Sequence, residues 1–169
     1  MNVEVRIDRD RIEERRKRET LNVFSRLPAV YAASRRQGQL LLKIGGGLSI
    51  VEWRTLWDLH EVGPATVGDL AAIQRADHSL LSRALPQMRR KGLVTMQRAS
   101  GDARRSVVAL TDKGRAAYAR AAPVMARRRA ALRETFTDEE IHVFVDMLER
   151  LEEFLRLPVN RIARPEDAE

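Results

Sequence analysis

The apolar pattern of the chain changes its period between residues 92 and 111. On either side of this stretch, apolar residues recur every three or four positions, which is typical of amphipathic helices. Within it, Leu93 to Gln97 and Ser106 to Leu110 have the character of two strands, and Ser100-Gly101-Asp102 is a turn signal between them. The sequence therefore predicts one β-hairpin in an otherwise helical chain.

The helix starts are marked by residues whose side chains can cap a first turn. Ser49 and Glu52 have the spacing of a capping box, and so do Thr137 and Glu140. Three further caps are predicted at Thr66, Asp77 and Thr111. Together with the apolar period, these starts predict helices over residues 21–44, 50–60, 67–73, 78–91 and 112–134, and a last helix after Thr137.

The order of these elements predicts a mainly α fold with a small β-hairpin wing (α+β). A short helix, the tight turn at residues 74–76 and a second helix form a helix-turn-helix, and the hairpin follows it as a wing. The predicted winged helix-turn-helix region covers residues 48–111. Because proline removes an amide and crowds the preceding turn, Pro28, Pro86 and Pro123 are expected to bend or bound their helices.

The flanking segments are expected to be helical and to form dimers. In the last helix, Leu148, Leu151 and Leu155 continue an apolar face that begins at Ile141 and Phe144. Helices of this length are more easily buried against a second copy than against a small core, with packing inside one chain as the alternative. The predicted organisation is a charged extension over 1–20, a helical dimerisation region over 21–47 and 112–157, and a tail over 158–169.

Charge is distributed unevenly along the chain. The net charge is +7, but residues 75–133 hold 15 basic and 3 acidic groups, whereas residues 134–169 hold 4 basic and 11 acidic groups. A cationic segment of this size favours a polyanion through phosphate neutralisation and counterion release. An anionic membrane surface, an acidic protein partner and a merely solvated basic face are the alternatives.

The helix predicted over residues 78–91 has the composition of a helix that lies in a major groove. Its expected apolar stripe is Leu80, Leu81, Ala84, Leu85 and Met88. Side chains near the start of such a helix are the ones that reach base edges, and an arginine can bind guanine bidentately or hold a phosphate. The side chains predicted to contact double-stranded DNA are His78, Ser79, Ser82, Arg83, Gln87 and Arg90.

The tip of the hairpin is a second candidate contact. An arginine at a hairpin tip can enter the minor groove, where narrow A·T tracts concentrate negative potential. Asp102 precedes Arg104 by two residues and can hold its guanidinium in place, which limits the rotamer entropy lost on binding. We include Arg105 in this predicted contact; an ordinary solvated turn is the alternative.

About 70 residues of the chain resemble the MarR family of winged-helix regulators. The matching segments are LSIVEWRTLWDLHEVGPATVGDLA, DHSLLSRALPQMRRKGLV and SGDARRSVVALTDKGRAAY, of which SRALPQMRRKGLV, DAR and LTDKG are the most specific. The resemblance implies a homodimeric transcriptional regulator whose first and last helices form the dimer and whose operator is pseudo-palindromic. It also implies that Ser82 and Arg83 contact DNA from the helix, and that Asp102 and Arg104 form the wing-tip pair. Pro86 departs from an ideal recognition helix.

The same resemblance implies an effector, since members of the family often release DNA when a small aromatic or phenolic molecule binds. Trp53, Trp57 and His60 follow one another on one helix, and Tyr31 and Arg35 are a matching pair on the first helix. Aromatic rings with one cation suit an aromatic anion. Packing of both tryptophans in the core is the alternative interpretation.

Several classes of function have little support in the sequence. The chain has no cysteine, so a disulfide framework, a thiol switch and cysteine-ligated metals are excluded. His60, His78 and His142 lack ligand spacing, and there is no nucleophile elbow, so we predict neither an enzyme nor a metal or cofactor site. With no apolar run of about 20 residues and no secretion signal, a cytoplasmic protein without a membrane partner is expected.

These patterns favour a sequence-specific DNA-binding transcriptional regulator, most simply a repressor. Two alternatives use the same cationic segment. One is an architectural protein that binds DNA without sequence specificity, and the other is a module that docks an acidic partner, including the acidic segment of another copy.

Overall fold

The computed structural model describes residues 7–99 and 102–163, with the backbone alone described for residues 99 and 102–105. Its elements are α1 (Arg9–Thr20), α2 (Val23–Ile44), α3 (Ile50–Val62), β1 (Ala65–Thr66), α4 (Val67–Gln74), α5 (His78–Arg90), β2 (Val94–Ala99), β3 (Asp102–Leu110), α6 (Asp112–Thr135), α7 (Asp138–Leu155) and α8 (Val159–Ala163). The mainly helical fold with a winged helix-turn-helix is confirmed.

The chain divides into two compact units. The first runs to Met125 and contains the helix-turn-helix and the sheet, and the second begins at Ala126 and contains α7 and α8. The organisation into extension, dimerisation region, winged region and tail stays a prediction.

The sheet of the first unit has three antiparallel strands in the order β1-β3-β2. Val108 lies at its centre, opposite Ala65 of β1 and Met96 of β2, and is fully buried. The sequence predicted β2 and β3 but not β1, because two residues are too short to show an alternating pattern. Both hairpin strands also extend beyond their predicted bounds toward the tip, with an irregular register at Arg98 and Ala99.

Three helix starts have the geometry that the sequence predicts. The Ser49 N–H donates to Glu52 Oε2 at 2.8 Å while the Glu52 N–H donates to Ser49 Oγ at 3.2 Å, which is a complete capping box. Reciprocal boxes also open α4 at Thr66 and α7 at Thr137. These contacts satisfy amides that no helical carbonyl can reach, so they fix where each helix begins.

The three internal prolines do not bound their helices, and bending at them stays a prediction. Asn22 caps α2, so the helix begins five residues before Pro28 and continues through it. Both α5 and α6 likewise continue through their internal prolines. The predicted tail after Pro158 begins with the short helix α8, whose Arg161 N–H donates to the Pro158 carbonyl at 3.0 Å.

The core of the first unit joins the helix-turn-helix to the sheet. Its fully buried side chains include Leu42, Leu56, Leu70, Leu81, Leu85, Met88 and Val108. Burial of each large aliphatic side chain contributes about 1.5–3 kcal/mol. This core positions α5 by one face and leaves its other face to solvent.

Few side chains of the helices toward the two ends of the chain are buried. No residue of α1 or α7 is buried. Large apolar side chains remain exposed on α2 and α7, among them Phe24, Val30, Tyr31, Leu40, Phe144, Val145, Met147, Leu148 and Leu155.

Candidate nucleic-acid interface

The start of α5 is fixed by Asp77. Its Oδ1 accepts from the Ser79 N–H at 2.8 Å, and this hydrogen bond from the backbone is the main reason why the pKa of Asp77 is lowered. Arg75 precedes it with φ at 47°, in the left-handed region, and turns the chain between α4 and α5. The turn is therefore made by local backbone geometry, and the cap defines the first turn of α5.

All six α5 side chains that the sequence proposes for DNA contact are exposed. They are His78, Ser79, Ser82, Arg83, Gln87 and Arg90. Leu81, Leu85 and Met88 on the same helix are buried in the core. The polar residues are therefore available to a partner while the apolar ones hold the helix to the protein.

Four of these exposed residues already form two pairs of contacts one turn apart. Arg83 Nε donates to the Ser79 carbonyl at 3.1 Å, and Arg83 Nη2 lies 3.4 Å from Ser79 Oγ. Ser82 Oγ lies 3.1 Å from His78 Nδ1. Because a guanidinium has five N–H donors, Arg83 can keep these contacts and still donate to an external acceptor.

Leu80 corrects the predicted apolar stripe, because it is 41% exposed. Successive helical residues are separated by about 100°, so Leu80 cannot share the inward direction of its neighbour Leu81. It lies at the edge of the buried face instead. An apolar side chain here is suited to contact with a thymine methyl group.

The wing-tip side chains fall outside the part of the chain that the structure describes in full. Asp102, Arg104 and Arg105 belong to β3, but only their backbone is described, and Ser100 and Gly101 lie outside the described residues. The described part of the wing places an exposed Arg98 near the end of β2. The roles of Asp102, Arg104 and Arg105 at a DNA groove stay predictions.

A polar cluster on α3 holds the last residue of α4, just before the turn into α5, and the sequence analysis missed it. Arg54 Nη2 donates to the Gln74 carbonyl at 2.6 Å, and Gln74 Nε2 donates to Asp58 Oδ2 at 2.8 Å. Burial raises the pKa of Asp58, although the Gln74 hydrogen bond and the Arg54 charge oppose it. The contacts join residues 16 and 20 positions apart, which periodicity cannot reveal.

Glu52 forms a second link between α3 and the end of α5. Its Oε1 accepts from Lys91 Nζ at 2.6 Å while its Oε2 remains in the capping box. Burial alone would raise the pKa of Glu52, but the hydrogen bonds from Lys91 and Ser49 outweigh it and lower the pKa below its ordinary value. The side chain of Glu52 is 8% exposed, so the ionised carboxylate depends on these partners.

The candidate effector residues form a stack of rings with one member that the sequence did not single out. Trp53 lies between Trp57 and Tyr118, with ring centroids 5.9 and 5.5 Å away, and His60 stacks on Tyr118 at 4.1 Å. Trp53 is 3% exposed, whereas Trp57 is half-buried. Trp53 is thus part of the core, and Trp57 and His60 are the stack members on α3 that a ligand can reach.

Tyr31 and Arg35 lie on the exposed surface of α2. Arg35 Nη1 donates to the Tyr31 hydroxyl at 3.4 Å, one helical turn away. The pair combines a ring with a cation, as an aromatic anion requires. Its participation in one site with the ring stack stays a prediction.

Comparison with known proteins identifies the fold and relates the winged region to one family. Residues 48–106 match the model of the MarR family. A transcriptional regulator of Mycobacterium tuberculosis, MOSR, solved in complex with DNA, shares 26% identity over 80% of this chain and 98% of its own, with a TM-score of 0.67. The transcriptional regulator BldR of Sulfolobus solfataricus shares 25% identity over 81% of this chain and 94% of its own, with a TM-score of 0.62.

A third relative supports the fold alone. The PcaV transcriptional regulator of Streptomyces coelicolor, solved with its natural ligand, is 18% identical over 89% of this chain and 98% of its own, with a TM-score of 0.68.

The capped helix-turn-helix and the hairpin that follows it define a winged helix-turn-helix protein. The match to the MarR family of transcriptional regulators over residues 48–106 agrees with the resemblance seen in the sequence. The family and its structural neighbours are regulators and not enzymes, in agreement with the sequence prediction. Over the described residues, the structure contains no helix with the length and apolarity needed to cross a membrane.

Proposed function

We propose that this protein is a homodimeric, sequence-specific DNA-binding regulator that represses transcription from a pseudo-palindromic operator. The observation that carries the proposal is the division of α5 into a buried apolar face and an exposed face of hydrogen-bonding side chains next to its capped start. A helix of this kind presents its first turns to base edges in the major groove. The MOSR regulator, solved with DNA, is the supporting relative.

Two copies are needed to explain a pseudo-palindrome. Symmetric recognition helices enter successive major grooves when they are about 34–36 Å apart. Apolar side chains are exposed on α2 and α7, and monomers rarely expose large contiguous apolar surfaces. This exposure supports the packing of a second copy of the chain against these helices. Residues 21–47 and 112–157 are the proposed dimerisation region.

Release by a small aromatic molecule completes the proposal. A ligand lowers the DNA affinity of the dimer if it binds more tightly to a form whose recognition helices have the wrong separation. The loss of DNA-binding free energy is set by the difference between the ligand's binding free energies for the two forms. Trp57 and His60 at the accessible part of the ring stack, with Tyr31 and Arg35, are the proposed contacts. PcaV, solved with its natural ligand, supports an effector only by likeness of fold.

Selection of bound fragments from random duplexes tests the proposal. The expected product is one family of duplexes with two related half-sites, each bound by two chains. Addition of benzoate, as a simple aromatic carboxylate, should quench or shift the tryptophan emission and weaken binding to the selected duplex. Enrichment of no sequence would instead favour an architectural DNA-binding protein that uses the same cationic segment.

A further inference from the structure

The end of α5 carries three consecutive cations, but the structure gives the last of them a different environment. Arg89, Arg90 and Lys91 together have the character of phosphate contacts. All three are exposed, but Lys91 Nζ also lies 2.6 Å from the Glu52 carboxylate of α3. Lys91 also caps α5, since its N–H donates to the Gln87 carbonyl at 2.9 Å. Its ammonium is therefore directed to an internal acceptor.

The opposite end of the same segment is also fixed to α3. Gln74, three residues before the cap of α5, is 5% exposed and is held through its carbonyl by Arg54 and through its side chain by Asp58. Residues of one helix thus hold both ends of the segment between Gln74 and Lys91. A large change in the tilt of α5 against α3 would stretch the Lys91 link, while the Gln74 contacts hold the turn that precedes α5.

We propose that Glu52 and Lys91 are a positioning pair that fixes the orientation of α5 for base contact, and that Lys91 is not a phosphate contact. The inference rests on the proposed DNA binding and adds residues that act through α5. If α5 tilts further than the Lys91 side chain can follow, Lys91 Nζ leaves Glu52 Oε1, and a carboxylate that is 8% exposed loses its cation. The pair therefore opposes the tilt.

This role predicts an effect on specific binding alone. Base-edge hydrogen bonds require close alignment, whereas long cationic side chains can follow a phosphate through small shifts of the helix. Loss of the pair should therefore weaken binding to the selected duplex and spare binding to random duplex. The number of phosphates contacted, measured by the dependence of log affinity on log salt, should not change.

The test compares Glu52→Gln and Lys91→Met in the full-length protein. Each variant is expected to lower the affinity for the selected duplex by roughly tenfold, and the double variant should lower it no further. The affinity for random duplex should stay within about twofold of the wild-type value. Glu52→Gln is the sharper variant, because removal of a negative charge from a DNA-binding protein should strengthen binding if only net charge matters. Lys91→Arg, which keeps a cation, should restore most of the specific affinity.

Two variants serve as matched controls. Ser49→Ala removes the partner of Glu52 in the capping box but keeps the Lys91 link, so it should preserve specificity. Arg90→Met removes an exposed cation of the same helix and should lower both affinities and reduce the salt slope by about one. A cooperative thermal unfolding transition shows that each variant is folded. If Glu52→Gln is unstable, Lys91→Met still tests the proposal.

The outcomes separate this inference from the proposed function. A fall in the salt slope by about one for Lys91→Met, or an unchanged or higher specific affinity for Glu52→Gln, would overturn the positioning pair. A wild-type protein without preference for any duplex would overturn the proposed function. In that case, amide exchange at residues 87–91 still tests the pair, since it should quicken in both variants and an unchanged rate would contradict it.

Discussion

Gly114 of α6 lies directly against the carbonyl group of Leu93 at the start of the wing. A Cβ built on Gly114 would be 2.0 Å from the Leu93 oxygen and 3.1 Å from its carbonyl carbon. The same oxygen accepts from the Thr111 N–H at 3.2 Å and from the Thr111 hydroxyl at 3.1 Å. The glycine thus allows the first turn of α6 to close on the base of the hairpin.

Substitution of this glycine should destabilise the fold. For Gly114→Ala, the Leu93 carbonyl must move away from Thr111, and we expect the free energy of unfolding to fall by about 2 kcal/mol or more. Gly68→Ala is the matched control, since its Cβ would meet only Thr66 Oγ1 at an ordinary 3.7 Å. That variant should be neutral or gain up to about 1 kcal/mol from helix propensity. Equal denaturation midpoints for the two variants would contradict the steric account.

The acid dependence of stability should reveal the ionised state of Glu52. Because folding lowers the pKa of Glu52 below its ordinary value of 4.5, its contribution is present above that pH and is lost as the pH falls through the folded pKa. Lys91 is 59% exposed, so solvent screens the pair, and wild type should exceed Glu52→Gln by about 1 kcal/mol at pH 7. Urea unfolding at several pH values measures this difference, which should shrink below pH 4.5.

The stability that Asp58 contributes should depend on pH in the opposite direction to that of Glu52. Folding raises its pKa, so the ionised carboxylate opposes folding, and that penalty is relieved as the pH falls. Wild type should therefore gain stability relative to Asp58→Asn as the solution becomes more acidic. Parallel pH trends for the two variants would contradict the assigned causes.

The apolar face of α7 should be needed for association. Leu148 is 40% exposed, and Leu148→Glu places a charge where the proposed dimer buries an apolar side chain, so we expect monomers in analytical ultracentrifugation. His142→Glu places the same acid on the polar face of the same helix and should leave the dimer intact. A Leu148→Glu variant that sediments as the wild-type dimer does would exclude this face from the interface.

Arg104 should contribute to binding as a cation at the wing. Arg104→Ala is expected to weaken binding to all duplexes and to lower the slope of log affinity against log salt by about one. Arg150→Ala, on α7 within the acidic segment, is the control and should not change the slope. An electrophoretic titration with an unchanged slope for Arg104→Ala would refute its contact with a phosphate or groove.

The helix starts and the fold class could be predicted because their causes are local. A capping box is a contact between residues three positions apart, so Ser49 and Thr137 mark their helices in the sequence itself. The exposed side chains of α5 follow from helical period in the same way. The exception is Leu80, which belongs to an apolar run whose residues cannot all point inward.

The features that the sequence did not reveal depend on contacts between distant residues. Tyr118 joins the ring stack from α6, and Lys91 pairs with a carboxylate 39 positions away. Nothing in the spacing of these residues distinguishes them from ordinary aromatic or surface side chains. Likewise, β1 is recognisable only by its pairing with β3.

The most direct test of the account is competition between the selected duplex and random duplex for the wild-type protein at about physiological salt. We predict that the selected duplex binds at least about 10³-fold more tightly and with two chains per duplex, which is the lower bound typical of specific DNA-binding proteins. A ratio near one, or one chain per duplex, would contradict sequence-specific binding by a symmetric pair of α5 helices.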